Sequence, residues 1–316
     1  ELMGALDELE REKNISKETL LDAIEQSLIQ AYKNHFGKAD NVHVTINRET
    51  GDFSVYADRK VVEFVEDPAE EVSLVEAQKQ NTNAEVGDIL KVPVHSDKFG
   101  RIATQNAKNV ILQKIREEER KVLFDQYHGN EKEVVTGIVQ RVVGHNVSVN
   151  LGKADAILAE NEQVKGETFK PTERIKVYIL EVKDTPKGPR ILVSRTHPGL
   201  VKRLFESEVA EVKDGTVEIK SIAREAGSRT KLAVWSNDPD VDPVGACVGV
   251  NGARVSAIVN ELRGEKIDII NWDENPAILI ENALSPAKVI AVMADPDEKT
   301  ALVVVPDYQL SLAIGK

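Results

Sequence analysis

Residues 245–255 read GACVGVNGARV, in which Gly249 and Gly252 stand three positions apart. The small apolar residues before the pair predict a short helical segment, and residues 253–262 predict a second helix after it. Three interpretations fit a glycine pair between two helices: a loop that phosphate can approach, a helix cap, or close packing. The surrounding sequence has to decide among them.

The segments on both sides of this stretch predict a small domain of mixed helices and strands. We expect residues 200–209 to form a helix and VEIKSIAREAG (217–227) to form the end of a strand followed by a helix. TKLAVW (230–235) and KIDIINW (266–272) have the apolar content and length of strands. The glycine pair therefore lies inside an α/β unit and not in a linker.

The last forty residues repeat the pattern. KTALVVV (299–305) is similar to TKLAVW, and LAIGK (312–316) aligns with ACVGV (246–250), so that Gly315 corresponds to Gly249. Self-similarity at a fixed offset predicts a tandem repeat. We expect a second copy of the domain that is incomplete at Lys316.

A turn of the form helix–GxxG–helix suits a phosphate clamp. Glycine has no Cβ to keep a sugar-phosphate chain away, and the following helix presents free N–H groups and a positive dipole end. KH domains use this arrangement to hold about four nucleotides. Together with the repeat, the pattern favours an RNA clamp over a simple cap. The predicted RNA-binding residues are Gly249, Val250, Asn251, Gly252 and Arg254, with Gly315 and Lys316 in the second copy.

The middle pair of the loop carries no charge. Asn251 can hydrogen-bond a phosphate without neutralising it, so RNA binding should depend less on salt than it would with a basic residue in the loop. Arg254, one turn into the next helix, is expected to supply the missing positive charge. Arg229 and Lys231, on the strand leading toward the loop, are weaker candidates for RNA contact.

Upstream, the pattern changes to short strands. Five of them follow within about 65 residues, with glycines at the bends, which predicts a small closed barrel of the OB type. Their sequences are VVTGIVQRVV (134–143), NVSVNLG (146–152), ADAILA (154–159), RIKVYILEV (174–182) and RILVSR (190–195). Residues 142–152 lack the aromatic side chains that stack bases on such barrels. Arg195 ends the last strand, where a phosphate contact and a structural ion pair are both open interpretations.

The first 130 residues predict a separate domain with long helices. Residues 16–36 form an amphipathic pattern, residues 41–58 a hairpin, and residues 101–127 a long helix that carries the charge run REEERK. Residues 1–132 contain 18 Lys and Arg against 26 Asp and Glu, whereas residues 133–200 contain 10 against 8. An acidic first domain suggests a basic protein partner, and the middle is better suited to a phosphate backbone.

Composition excludes several classes of function. No apolar run approaches the length of a membrane span, and the N-terminus lacks the features of a signal peptide. Cys247 is the only cysteine, which favours a reducing cytoplasm. The six histidines have no metal-binding spacing, and no nucleophile, phosphate-loop or dinucleotide motif is present. We therefore predict a cytoplasmic protein that is no enzyme and holds no cofactor or metal.

Several longer runs resemble the NusA family of bacterial transcription elongation and termination factors. The similarity is densest from Ile191 onward, in LVSRTHPGLVKRLFESEV, VEIKSIAREAGSRTKLAV, DPVGACVGVNGARV, ELRGEKIDII and VVVPDYQLSLAIGK. The predicted fold is accordingly multidomain α+β. Its parts are an N-terminal α/β domain with long helices (1–130), an S-one type OB-fold barrel (131–200), a first KH domain (201–274) and an incomplete second KH domain (275–316).

The resemblance implies a non-enzymatic factor that modulates pausing, termination and antitermination. Its implied partners are RNA polymerase, bound through the acidic N-terminal domain, nascent single-stranded RNA, and other elongation or antitermination factors. We expect a monomer. The alternative is an RNA-degradation or ribosome-associated RNA-binding protein, since phosphorolytic ribonucleases also combine KH and S-one modules. Those enzymes place KH before the barrel and need catalytic domains that this sequence lacks.

Overall fold

The computed structural model describes residues 2–36, 40–95 and 97–315, and the chain divides into two compact units, Glu1–Val122 and Leu123–Lys316. Lys316, one of the predicted RNA contacts, lies outside the described residues. Within the described ranges no helix combines the length and apolar character needed to cross a membrane.

The first unit packs helices against a small sheet. The helix predicted at 16–36 and the hairpin predicted at 41–58 are both present. The elements are α1 (Leu2–Lys13), α2 (Lys17–Phe36), β1 (Val42–Ile46), β2 (Phe53–Val62), β3 (Glu71–Ser73), α3 (Leu74–Gln80), β4 (Ile89–Pro93) and α4 (Asp97–His128). Strand β2 is central and pairs with β1, β3 and β4. Alternate residues of β1 are buried, as expected for a strand with one face on the core.

The apolar side chains of α2 build the core of this unit. Leu20, Leu21, Ile24 and Leu28 recur at helical spacing and pack against the hairpin. A second, smaller cluster around Val61 lies under α3. Helix α4 is somewhat longer than the pattern at 101–127 predicts, and its residues from Leu123 onward belong to the second unit.

The second unit begins with the predicted barrel. Its five strands are β5 (Val134–Val143), β6 (Asn146–Asn150), β7 (Asp155–Leu158), β8 (Arg174–Thr185) and β9 (Gly188–Ser194), and they close in the order β5-β6-β7-β9-β8. Gly137 allows β5 to curve against β6, because a Cβ at this position would overlap the side chain of Val149. Val177, Ile179, Ile191 and Val193 fill the interior.

The first α/β domain follows the barrel. Its elements are α5 (Pro198–Glu208), α6 (Ala210–Lys213), β10 (Val217–Glu225), β11 (Arg229–Ser236), α7 (Pro243–Val248), α8 (Ala253–Glu261) and β12 (Lys266–Asn271). The sheet has the order β10-β11-β12, with β10 antiparallel and β12 parallel to β11. The helices cover one face of the sheet, where Leu204, Phe205, Leu232, Val234, Cys247 and Ile258 are buried.

One secondary-structure prediction in this domain is wrong. Residues 217–227 were expected to turn from strand to helix, but the strand continues to Glu225 and pairs with β11 along its length. The run SIAREA is compatible with a helix by local preference. Pairing with an already buried neighbouring strand overrides that preference.

The remaining residues form α9 (Pro276–Leu284), β13 (Ala291–Asp295), β14 (Thr300–Val304) and α10 (Leu310–Ile314), with β13 and β14 antiparallel. The repeat predicted from the sequence is confirmed in outline. Helix α10 ends at Gly315 with φ 76°, as α7 ends at Gly249 with φ 77°.

Candidate nucleic-acid interface

The backbone of the loop 249–252 accounts for both glycines. Gly249 has φ 77° and ψ 174°, a region open to glycine alone, and Gly252 has φ 76° and ψ 14°. Asn251 is also left-handed, at φ 53° and ψ 27°, a conformation that asparagine tolerates better than most residues. Three of the four loop residues therefore have positive φ, and the turn depends on this sequence.

The loop projects its side chains and amides outward. Its turn is closed by the amide of Gly252, which donates to the carbonyl oxygen of Gly249 over 3.1 Å. The side chain of Val250 at the tip is 83% exposed. No side chain caps the start of α8, so amides at this helix terminus can donate to an anion. The geometry fits the phosphate clamp that the sequence predicts.

The side chain of Arg254 packs beneath the loop and is not free to bind a phosphate in the way that the sequence predicts. A Cβ on Gly249 would lie 2.7 Å from Cγ of Arg254, so the arginine stem fills the space that the glycine leaves. The guanidinium donates to Glu211 over 2.8 Å and to the carbonyl oxygen of Ala246 over 2.7 Å. Its charge is therefore partly neutralised beneath the loop, by a carboxylate 43 positions away in the sequence.

Arg195 is a correction to the predicted RNA surface. The structure agrees with the ion-pair interpretation, because the side chain is buried and forms two hydrogen bonds of 2.7 Å with Glu167. It also donates to the carbonyl oxygens of Lys176 and Glu261, in the barrel and in α8. A buried guanidinium with all these partners joins the barrel to the first α/β domain and offers no surface to a phosphate.

Arg229 and Lys231 are likewise engaged within the protein. Arg229 pairs with Asp268 on the neighbouring strand at 2.5 Å. Lys231 donates to the carbonyl oxygen of Ala283 at the end of α9, which ties the sheet of the first α/β domain to the following helix. Gly315 repeats the positive φ of Gly249 in open space. The loop 249–252 and Gly315 are thus the accessible predicted residues without such a partner, whereas Arg229 is exposed but paired with Asp268.

Sequence reasoning missed two further arginine ion pairs, one inside the first α/β domain and one between this domain and the barrel. Arg224 forms two 2.9 Å hydrogen bonds with Glu265, and both side chains are buried. Arg263 lies 5.0 Å from the ring centroid of Phe169 and pairs with Glu173 at 2.9 Å. These partners are 41 to 94 positions apart, so no local pattern signals the pairing.

The environment of Glu265 explains how a buried carboxylate stays charged. Burial alone would raise the pKa of Glu265, but hydrogen bonds from Arg224, from the hydroxyl of Thr230 and from the amide of Gly227 outweigh this effect and lower the pKa.

Within the described ranges no group of His, Cys, Asp and Glu side chains is arranged to hold a metal ion.

Comparisons with known proteins match four successive parts of the chain. Family models match residues 1–121 (NusA N-terminal domain), 129–194 (S1 RNA binding domain), 195–272 (NusA-like first KH domain) and 276–316 (NusA-like second KH domain). The transcription termination/antitermination protein NusA of Bacillus subtilis is 55% identical over the whole chain, which covers 85% of that protein. The chain belongs to the NusA family.

A second relative supports this assignment. The NusA protein of Halalkalibacterium halodurans is 53% identical over the whole chain, which covers 83% of that relative. The solved N-terminal domain of NusA from B. subtilis is 49% identical, with 38% of this chain and 96% of that domain covered and a TM-score of 0.33. The predicted family and the predicted fold class, a NusA N-terminal domain with an S1 barrel and two KH domains, are confirmed.

The family match identifies the barrel as an S1 RNA binding domain. The residues matched by the S1 RNA binding domain model include the outer surface of β5 and β6, where Val142 and Val143 are exposed. His145 in the turn between these strands is exposed and lies 3.7 Å from Glu160. The stretch 142–152 thus presents aliphatic side chains and one histidine, and it has no Phe, Tyr or Trp side chain on which a base could stack.

Proposed function

We propose that this protein is a non-enzymatic transcription elongation factor that binds RNA polymerase and nascent single-stranded RNA. It modulates pausing, termination and antitermination in the bacterial cytoplasm. The single observation that carries the RNA-binding part is the exposed helix–GxxG–helix loop at residues 249–252, with three positive φ angles. Membership of the NusA family supports the transcriptional part.

The loop acts through its backbone. A phosphate approaches Gly249 and Gly252 without meeting a Cβ, and it accepts hydrogen bonds from amides at the start of α8. The side chain of Asn251 adds a neutral donor, and the exposed Val250 offers an apolar surface next to the bound nucleotide. Gly315, with Lys316 after it, is the corresponding contact of the second KH domain. No step of this function makes or breaks a covalent bond.

The division of labour follows the proposed domains. Residues 1–130 contact the polymerase, 131–200 form the S1-type barrel, and 201–274 and 275–316 form the two KH domains. Two observations support a protein partner for the first domain: its acidic balance, and several large apolar side chains exposed on it. These are Phe64, Val75, Val86 and Ile89. The outward faces of α2 and α4 are further candidates for polymerase contact.

RNA binding is tested by fluorescence anisotropy with a labelled single-stranded RNA and a double variant, Gly249→Asp with Gly252→Asp. Two carboxylates in the loop repel phosphate, so the affinity should fall at least tenfold. The control variant, Gly4→Asp with Gly100→Asp, adds the same charge at two open helix positions of the first unit and should bind like wild type. Equal affinity of all three proteins would remove the clamp from this proposal.

The transcriptional part of the proposal is tested with bacterial RNA polymerase. The protein should co-purify with bacterial RNA polymerase through residues 1–130, and it should change the lifetime of a defined pause. Unaltered pausing at saturating protein would refute the elongation-factor function. Release of nucleoside diphosphates from RNA in the presence of phosphate would instead support the RNA-degradation alternative.

A further inference from the structure

Two tryptophans lie on the face of the first KH sheet that is opposite its helices. Side chains alternate along β11, so that Leu232 and Val234 face the helices and Trp235 faces away from them. Trp272 follows β12 and donates its amide to the carbonyl oxygen of Val234 over 2.8 Å, which places it beside Trp235. The two rings meet edge to face with their centroids 5.8 Å apart, and Trp235 is 42% exposed.

A lysine already lies over one of these rings. Glu218 on β10 is the cross-strand partner of Trp235, and Nζ of Lys220 is 5.2 Å from the ring centroid of Trp272. The same Nζ pairs with Glu218 at 2.6 Å, and Nδ2 of Asn237 donates to this carboxylate over 2.9 Å. The charges of Lys220 and Glu218 therefore cancel, and the position of Lys220 shows that the rings accept a cation. We refer to Glu218, Lys220, Trp235 and Trp272 as the tryptophan face.

The loops next to the tryptophan face are acidic. Because β11 and β12 are parallel, residues 236–242 and 273–275 leave the sheet at the same edge, where the two tryptophans lie. These segments, here called the acidic rim, contain no Lys, Arg or His and five carboxylates: Asp238, Asp240, Asp242, Asp273 and Glu274. None of the five forms an ion pair within the part of the chain that the structure describes, and all but Asp273 are exposed. The edge beside Trp235 therefore has a net negative charge.

We propose that the tryptophan face and the acidic rim form a docking site for an arginine-rich segment of a protein partner. One guanidinium stacks on the exposed ring of Trp235, and further arginines pair with the carboxylates of the rim. Arginine fits better than lysine, because its planar guanidinium both stacks on a ring and binds a carboxylate through two hydrogen bonds. This site adds a protein-binding surface to the proposed RNA-binding function and does not rest on it.

The charge of the acidic rim favours arginine over other ligands of the tryptophans. Bases also stack on exposed aromatic rings, but the phosphates of a nucleic acid would meet the exposed carboxylates of the rim. A purely apolar partner would gain little area, since charged side chains border the two rings on β10 and along the rim. A cationic segment gains both the stacking and the charge complementarity, and tryptophan and arginine are the residues that contribute most to protein interfaces.

The test uses the fluorescence of the whole chain, because Trp235 and Trp272 are its only tryptophans. The probe is a decapeptide of alternating arginine and glycine with blocked ends, added at low salt. We expect a saturable change in tryptophan emission, a higher Kd with the lysine analogue, and no change with the glutamate analogue. Peptide bound to acidic surfaces elsewhere leaves the emission unchanged. No response to the arginine peptide, or an equal response to the glutamate peptide, would refute the site.

Variants locate the bound peptide, with its affinity measured by fluorescence anisotropy of a labelled copy. Trp235→Ala should weaken binding about tenfold, and Trp235→Phe, which keeps a ring, should weaken it less. Asp238→Asn with Asp240→Asn should weaken binding about threefold and reduce its dependence on salt. Asparagine retains the oxygen with which Asp238 accepts the amide of Asp240 over 2.9 Å, so this variant keeps the loop intact. If thermal melts show that Trp235→Ala is destabilised, the other two variants carry the test.

Two matched controls separate the site from general effects. Tyr308→Ala removes another exposed aromatic side chain, and Glu8→Gln with Glu12→Gln removes two exposed carboxylates on α1. Both controls should bind the arginine peptide like wild type. If the charge control lost as much affinity as Asp238→Asn with Asp240→Asn, net charge would set the affinity and the site would be refuted.

A labelled oligouridine tests whether the tryptophan face binds RNA instead. Trp235→Ala should bind this RNA with wild-type affinity, because the proposed RNA contacts lie in the loop 249–252 on the helical side of the sheet. A clear loss of RNA affinity in this variant would assign the tryptophans to RNA and overturn the inference.

Discussion

Arg195 and Glu167 form a buried, bidentate ion pair at the junction of the barrel and the first KH domain. Both hydrogen bonds are 2.7 Å long, and the two side chains are 1% and 6% exposed. The guanidinium also binds carbonyl oxygens of Lys176 and Glu261. Together with the pair of Arg263 and Glu173, this contact joins the barrel to the first KH domain.

Removing one member of the pair should destabilise the second unit strongly. Arg195→Met leaves the carboxylate of Glu167 buried without a partner, which costs about 3–5 kcal/mol of unfolding free energy. Arg195→Met with Glu167→Leu removes both charges and should recover much of this loss. Urea unfolding measures both variants. If Arg195→Met unfolded at the wild-type urea concentration but bound RNA weakly, the arginine would be an RNA contact after all.

The two loop glycines should respond differently to alanine. Gly249→Ala combines a backbone conformation restricted to glycine with a clash against Arg254, and it should cost about 2–3 kcal/mol of unfolding free energy. A Cβ on Gly252 would make only ordinary contacts, of 3.8 Å with Ser256 and 3.9 Å with Val255, so Gly252→Ala should cost only about 1–2 kcal/mol. Thermal unfolding of both variants shows which of them loses more stability. Equal losses would mean that the Arg254 stem moves aside freely.

Glu211 should limit the affinity of the clamp for RNA. Glu211→Gln keeps a hydrogen-bonding group beside Arg254 but removes the opposing charge. We expect tighter RNA binding at low salt and a slope of log K against log salt that is steeper by up to about 0.7. Glu208→Gln, at an exposed position on α5, is the charge-matched control. The same gain in both variants would attribute the effect to net charge alone.

The stability of the first KH domain should depend on Cys247 at alkaline pH. Burial raises the pKa of the Cys247 thiol to about 11, from about 9 in the unfolded chain. Between these values the unfolded chain releases the thiol proton while the folded protein keeps it, so stability falls as pH rises through this window. The thiol accounts for at most about 3 kcal/mol of that loss.

Urea unfolding of wild type and Cys247→Ala from pH 8 to pH 11 tests this dependence. The variant should lose less stability than wild type across the range, because other groups titrate equally in both proteins. In addition, the native thiol should react with iodoacetamide at pH 8 only after denaturant is added. Rapid alkylation of the folded protein would contradict the burial of this side chain.

Local patterns in the sequence were sufficient for most of the elements that they predicted. The barrel strands, helix α2 and the helices around the glycine pair have periodicities and turn residues that agree with their final structure, so propensity and tertiary packing favour the same result. The segment 217–227 is the exception. Its local preference is ambiguous, and pairing with β11 decided in favour of a strand.

The roles of the arginines could not be predicted in the same way. Arg195, Arg229 and Arg254 are equally cationic in the sequence, but each has a carboxylate partner that lies 28 to 43 positions away. Whether a cation is available to RNA depends on which acidic side chain the fold places beside it.

The sequence by itself determined the family, the order of the domains and the loop 249–252, because glycine and asparagine at these positions dictate a backbone that few other residues permit. Only the tertiary structure decided which charges remain available. Ion pairs between distant segments form when strands and helices pack, and they turn Arg195 into a structural element and partly neutralise Arg254. What remains accessible for RNA is the backbone of the loop 249–252 and the exposed side chain of Val250 at its tip.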